Sequence, residues 1–320
     1  MALKTFQSVV GRLRNAATIL PAARSLFTPI NSALRGNPEQ VPLGAANSKL
    51  CATLLDLRTM VLDLACRPTH VKELVARLPD YNGYCDASAF GAGGVWFSGE
   101  SPLTPQVWRL EWPPDIQQTV ISSTNPEGRL TNSNLEMAVL LHFNVLETCV
   151  HSLKHINTVI HSDNSPRVAW ATTMATKTAK SEAAHRLLRG LAMRQRSLEA
   201  GPLQVLHIPG KSNNLADIAS RPIPAIALDD SRFLTHFAAL FPLSPKHTSW
   251  QRAHPMPAQL SNVILTLRGS NCSGNGGRFR ATRQLDLVEP LLSRLRHRPM
   301  ATRLPPRGST TIALGLCRPD

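Results

Sequence analysis

A chain of 320 residues with 42% hydrophobic content can bury one sound core with extensions, or form two domains of ordinary size. Its net charge of +14 points to a polyanionic partner such as nucleic acid or an anionic surface. No apolar run approaches the roughly 20 residues that span a bilayer, which excludes a membrane helix. The six cysteines, at 51, 66, 85, 149, 272 and 317, show neither a CxxC pair nor a CxxC with a nearby HxxxH, and so give no sign of a zinc site or a disulfide framework. They read as reduced thiols of an intracellular protein, cytoplasmic or nuclear.

The first acidic residue is Glu39, after Lys4, Arg12, Arg14, Arg24 and Arg35. That composition fits either a mitochondrial presequence or a basic helical segment of a larger parent protein. Phe6, Val9, Val10, Leu13, Ala16 and Ala17 recur at helical spacing, which predicts helices over Lys4–Ile19 and Ala22–Leu34 around Pro21. GNPEQVPLG is a linker by composition. Residues 47–78 again predict helices, first through Leu54, Leu55, Leu57, Met60, Val61 and Leu64, then through Val71, Leu74, Val75 and Leu78.

At Tyr81 the pattern changes to strands. In YNGYCDASAFGAGGVWF, Asn82, Tyr84 and Asp86 share one face and Gly83, Cys85 and Ala87 the other. Asp86 is the lone carboxylate of the run: either it needs a partner or an ion, or it bonds its own backbone in a turn. Gly91, Ala92, Gly93 and Gly94 predict a tight reversal, and strands at Asn82–Ser88, Ala92–Ser98 and Val107–Trp112 make an antiparallel meander.

Thr131–Val150 predicts a helix opened by a capping box of Ser133 and Glu136. Glu136 either caps that helix or, with Leu140, Phe143 and Glu147, starts a mostly apolar stripe where an unpaired charge is costly. Ile156–Ser162 reads as a central strand ending at Asp163 and Asn164, a place where open sheets hold ligands. Helices at Pro166–Thr173 and Ser181–Glu199 follow, the second carrying Arg186, Arg189, Arg194 and Arg196. Then come a strand at Val205–Ile208, the turn PGKSNN, and a short helix Leu215–Ser220 holding Asp217.

Asp86, Glu136, Asp163 and Asp217 thus occupy a strand, an early helical turn, a strand end and a helix start, from which four side chains can converge. Carboxylates at close range stay ionised only with cations, and oxygen ligands suit Mg²⁺ or Mn²⁺. Two such ions about 4 Å apart clamp a phosphodiester for attack by water.

CDASAFGAGGVW, LTNSNLEMAVLLHF, VIHSDNSPRVAW and IPGKSNNLADIASRP resemble, in order and approximate spacing, the four signature blocks of the ribonuclease H domain of retrotransposon reverse transcriptases, DIRS-like or gypsy-like. The resemblance covers residues 81–222. It implies a mixed α/β fold, a five-stranded sheet flanked by helices, and endonucleolytic cleavage of the RNA strand of an RNA–DNA hybrid with two Mg²⁺ or Mn²⁺ ions. It also implies that Asp86 bridges both ions, that Glu136, Asp163 and Asp217 complete their shells, and that the products carry a 3′-hydroxyl and a 5′-phosphate.

Hybrid recognition through phosphates and 2′-hydroxyls is expected from Asn164, Lys211 and Asn213, with Arg186, Arg189, Arg194 and Arg196 as a basic face toward the backbone. Residues 1–80 are similar to the thumb and connection segment of such polyproteins, whose other parts are expected partners. No YxDD turn precedes the domain, so no polymerase activity is expected; Leu228-Asp229-Asp230 follows the ribonuclease block in a Pro-rich stretch.

Residues 223–268, with Phe233, Phe237, Leu240, Phe241 and Trp250, predict a small helical extension similar to the region linking ribonuclease H to a recombinase in DIRS-like elements. Residues 269–320 read as a flexible basic tail. Residues 222–320 hold 13 Lys/Arg against 5 Asp/Glu, whereas residues 81–221 hold 12 against 11. The excess charge therefore lies outside the catalytic candidate, as expected of an arm that holds nucleic acid nonspecifically. The competing readings are a nucleic-acid-binding remnant that no longer turns over, and another nuclease or integrase on the same core. Against the last, Asp86-Ala87-Ser88 lacks the Asp-x-Glu opening of proofreading exonucleases.

Overall fold

Small residues and aromatics alternate from Tyr81 onward, and in a computed structural model this run becomes the central strand of a six-stranded mixed sheet. β1 (Tyr81–Ala87), β2 (Gly91–Ser98) and β3 (Gln106–Glu111) form the expected antiparallel meander. β4 (Thr158–Ser162) runs parallel to β1, and β5 (Leu203–His207) parallel to β4. β6 (Gln251–Arg252) adds parallel to β3, giving the order β5-β4-β1-β2-β3-β6, one strand more than expected. The structure describes residues 1–20, 22–43, 47–98, 104–138, 141–174, 182–222, 229–243 and 249–269, all within the unit Met1–Ala281. The expectation of a flexible tail falls, from residue 270 on, outside the described residues.

The reversal between β1 and β2 is made not by the glycines but by Ser88, Ala89 and Phe90. Ser88 Oγ accepts from the N–H groups of Phe90 and Gly91, at 3.2 Å each. The glycines belong to β2 and serve close approach. A Cβ on Gly93 would lie 2.3 Å from the carbonyl carbon of Ala219, and one on Gly94 would lie 3.0 Å from His142 Nδ1.

Helices α1 (Leu3–Ala16), α2 (Phe27–Ala33) and α3 (Ser48–Cys66) bury Phe6, Val10, Phe27, Ile30, Leu50, Leu57 and Met60 in a separate core that Ala192 of the later helix Glu182–Leu198 also enters. The helix expected over Val71–Leu78 is only a 3₁₀ turn at Val71–Glu73. Its aliphatic residues face water: Val71 is 72% exposed and Leu78 89%. The inward position is taken instead by Glu73, which the arginines Arg67 and Arg196 hold.

The helices α4 (Pro114–Gln117), α5 (Asn132–Ala138), α6 (Leu141–Cys149), α7 (Ser165–Thr173) and α8 (Glu182–Leu198) are followed by α9 (Asn214–Ser220), α10 (Asp230–Leu240) and α11 (Pro257–Arg268). Strand alternation splits their packing between two faces. Trp96 and Cys85 enter the larger core with Phe143, Leu146, Leu188 and Ile264. Val95 and Val107 enter a second core with Ala219, Phe233, Phe237 and Trp250.

α8 is tied to α3 and the segment after it by buried ion pairs. Arg196 Nε lies 2.5 Å from Asp63 Oδ2 and its Nη1 3.3 Å from Glu73 Oε2, while Arg67 Nη1 lies 2.8 Å from Glu73 Oε1. Arg189 pairs with Asp56 of α3.

Candidate metal centre and its surroundings

Glu136 is free for chemistry because it does not cap its helix. Thr131 and Asn134 form the reciprocal box: Asn134 Oδ1 accepts from Thr131 N–H at 3.0 Å, and Thr131 Oγ1 from Asn134 N–H at 3.3 Å. One turn further along α5, Glu136 points at the end of β1, where its Oε1 accepts from Ala87 N–H at 3.2 Å. Its Oε2 is buried and meets no donor among the described residues.

Asp86 lies beside it on β1, its Oδ2 accepting from Ser220 Oγ at 2.7 Å. Ser220 reaches it because Gly93 lets α9 lie against β2. Asp163 follows the last residue of β4, and its Oδ1 accepts from Asn213 Nδ2 at 3.1 Å. One oxygen each from Asp86, Glu136 and Asp163 lies within 4.8 Å of the others.

Asp217 stands at the margin of this group. From the first turn of α9 its Oδ1 accepts from Arg221 Nε at 2.8 Å, and its charge still acts on Asp86. Burial pushes the Asp86 carboxyl up; the hydrogen bonds from Ser220 and Glu136 oppose this, and the charges of Asp163 and Asp217 add to it. Burial, followed by the charge of Asp86, pushes Glu136 well above the carboxylate range.

Arg167, on the first turn of α7, is fully buried, and among the described residues no oxygen accepts from its three guanidinium nitrogens, whose neighbour is the Cys85 thiol. Its charge lowers the proton affinity of Glu136. With Arg167 adding to a burial that already disfavours the charged ring, His142 is driven well down and stays neutral. Its Nδ1 accepts from Trp108 Nε1–H at 2.6 Å, and its ring stacks on Trp96 at 4.0 Å.

The residues expected to touch nucleic acid divide. Lys211 is exposed in the turn Gly210–Ser212. Asn164 caps α7, its Oδ1 accepting from Arg167 N–H at 2.9 Å. Asn213 is buried, bonded to Asp163 and to Cys85 O, with its own Oδ1 unsatisfied. Arg186 lies 3.6 Å from Glu182, Arg189 pairs with Asp56, Arg194 with Glu147, and Arg196 is buried. Of the four arginines on α8, three thus hold acids of other elements, so this helix does not present the basic face expected of it.

Two functional neighbours escaped the sequence reading. Ser220 follows Asp217 at a helical spacing of three, a signal that was present. Arg167 had none, since an arginine near a helix start ordinarily faces water.

Two buried acceptors, Glu136 Oε2 and Asn213 Oδ1, lack donors beside oxygens of Asp86 and Asp163. An all-oxygen set in which burial raises the proton affinity of Asp86 and Glu136 fits a hard divalent cation.

No protein-family model and no curated protein matches the chain. Among solved structures it is similar to RNase H1 from the halophilic archaeon Halobacterium salinarum NRC-1, at 15% identity and a TM-score of 0.29, over 43% of this chain and 92% of that one. It is also similar to the Prototype Foamy Virus protease-reverse transcriptase, at 11% identity and a TM-score of 0.25, over 65% of this chain and 24% of that one.

Proposed function

We propose that the chain is a retroelement-derived, metal-dependent endoribonuclease that hydrolyses the RNA strand of RNA–DNA hybrids. The observation that carries this reading is the meeting of Asp86, Glu136 and Asp163, from three separate elements, within 4.8 Å and with a buried oxygen left without a donor. Asp86, Glu136 and Asp163 would hold Mg²⁺ or Mn²⁺, with Asp217 joining them once released from Arg221. Ions bound there supply charge neutralisation at the phosphodiester and a water acidic enough to attack it.

The chain's own groups do the positioning. Ser220 fixes the rotamer of Asp86, Asn213 that of Asp163, and the Ala87 amide that of Glu136. Arg167 behind Glu136 favours its ionised form, the form in which it would hold a cation. Exposed Lys211, in the turn before α9, is the candidate cation for the nucleic-acid backbone.

The test is cleavage of an RNA–DNA hybrid by the purified chain in Mg²⁺. Asp163→Asn is expected to lower the rate by about 10²-fold or more, the scale of losing one preorganised electrostatic contact, with the melting temperature unchanged. Cleavage at the wild-type rate by that variant overturns the assignment. Hybrid binding without cleavage at any divalent-ion concentration would make the chain a binding remnant.

A further inference from the structure

We infer a second metal site, for a zinc-class divalent ion, formed by His70, His155 and Glu199. One ligand atom of each lies within 4.8 Å of the others. The three come from separate segments: the turn after α3, the loop before β4 and the residue after α8. Asp163 follows the other end of β4, so the site lies at the opposite end of the parallel strands from the acids described above. It does not rest on the nuclease reading.

The framework of the site is fixed. His155 N–H donates to Glu199 O at 2.8 Å, and the flanking residues Lys154 and Ala200 form an antiparallel bridge. Both His155 and Glu199 adopt left-handed backbone, φ 61° and 55°, which side chains other than glycine's rarely take, and such strain collects at binding sites. His155 Nδ1 is buried without a hydrogen-bond partner among the described residues.

The His70 ring packs edge-on against that of His155 at 5.0 Å. A ring nitrogen of His70 accepts from Glu73 N–H, which orients the ring in the ion-free chain and puts the proton on its second nitrogen, so an ion held by His70 would displace either that proton or that bond. Glu73 itself is anchored by Arg67 and Arg196.

Two imidazoles and a carboxylate are a zinc donor set, and nitrogen donors discriminate against Mg²⁺. Bonds of about 2.0–2.2 Å put tetrahedral ligand atoms roughly 3.3–3.6 Å apart, so the groups close by at most about 1.5 Å. A cation already competes there: Lys154 Nζ lies 2.7 Å from Glu199 Oε2, and Arg67 Nε lies 3.8 Å from Oε1. Zinc would take over from Lys154 and fasten the His70 segment to the start of β4. No CxxC or HxxxH spacing announces such a set, because its ligands meet only in the fold.

The experiment uses the full chain, stripped with chelator and titrated with Co²⁺ by visible absorption and with Zn²⁺ by calorimetry, in a large excess of Mg²⁺ that occupies the oxygen site. One ion per chain should bind despite the Mg²⁺, and bind equally in Asp163→Asn. His155→Ala and the exposed His70→Ala should each weaken it by about tenfold or more, and Lys154→Met, which removes the competing cation, should tighten it. Zn²⁺ should raise the melting temperature of the wild type but not of His70→Ala. His70 packs at the surface, so that variant keeps the test valid should His155→Ala fail to fold. Absence of binding in Mg²⁺, wild-type affinity in His70→Ala, or no tightening in Lys154→Met overturns the site.

Discussion

Glu73 and Glu136 are each 1% exposed, yet their surroundings are opposite. Glu73 accepts from Arg67, Arg196 and the amide of His70, so each of its oxygens is met by a donor. Glu136 has one amide, an orphan oxygen, and a second carboxylate for a neighbour. Burial alone does not mark a functional acid. A buried acid saturated by cations from its own chain holds the fold together, and one left unsaturated is built to receive something.

The largest expected effect breaks the saturated side. Arg196→Met leaves Asp63 and Glu73 short of their partner and should cost about 3–5 kcal/mol in urea denaturation, the scale of an uncompensated buried charge. If the loss is under about 1 kcal/mol, the network is not what joins α8 to α3.

Next, Gly93→Ala forces a methyl to within 2.3 Å of Ala219 and should cost about 1–3 kcal/mol by overpacking. It should also lower divalent-ion affinity as α9, and with it Ser220, retreats from Asp86; unchanged ion binding in calorimetry would separate α9 from the site.

Glu136→Gln sharpens the comparison through pH. The folded proton affinity of Glu136 is raised, so its contribution to stability is fully present below the ordinary value of 4.5 and is lost as pH rises through the raised value. Without divalent ions, the wild type should therefore lose stability relative to Glu136→Gln on going from pH 4 to 8, by about 1–3 kcal/mol. Millimolar Mg²⁺ should recover much of this in the wild type alone. Parallel pH curves would mean that Glu136 is already satisfied.

The smallest effect belongs to Arg221→Ala, whose side chain is 62% exposed. Stability should change by less than about 1 kcal/mol, while divalent-ion affinity rises as Asp217 is released. Weaker ion binding would show Arg221 to be a helper rather than a competitor.

Much of this was legible in the chain. The period of two from Tyr81 to Ala87 and the positions of Asp86, Glu136 and Asp163 on a strand, a helical turn and a strand end follow from spacing alone. What spacing cannot supply is the partner of a charge. Arg189 and Arg196 look like members of a solvated stripe, yet each meets an acid 133 residues earlier. The helical spacing of Val71, Leu74, Val75 and Leu78 misled for the same reason: Arg196, 123 residues away, joins Arg67 in fixing Glu73 inward and turns those aliphatics out. In β2 the composition of Gly91 to Gly94 fits a turn as well as it fits a strand crossed by a helix. Only the position of Ala219 decides between them.

The last described elements return to the sheet. Phe233, Phe237 and Trp250 shield Val95 and Val107, and the two residues of β6 occupy the free edge of β3 at Gln106 and Val107. A polypeptide cut at Pro222 would retain every acidic ligand yet present a bare valine face and an unpaired strand, the template on which neighbouring copies stack. The stretch that carries the four carboxylates is thus shorter than the stretch that covers the sheet.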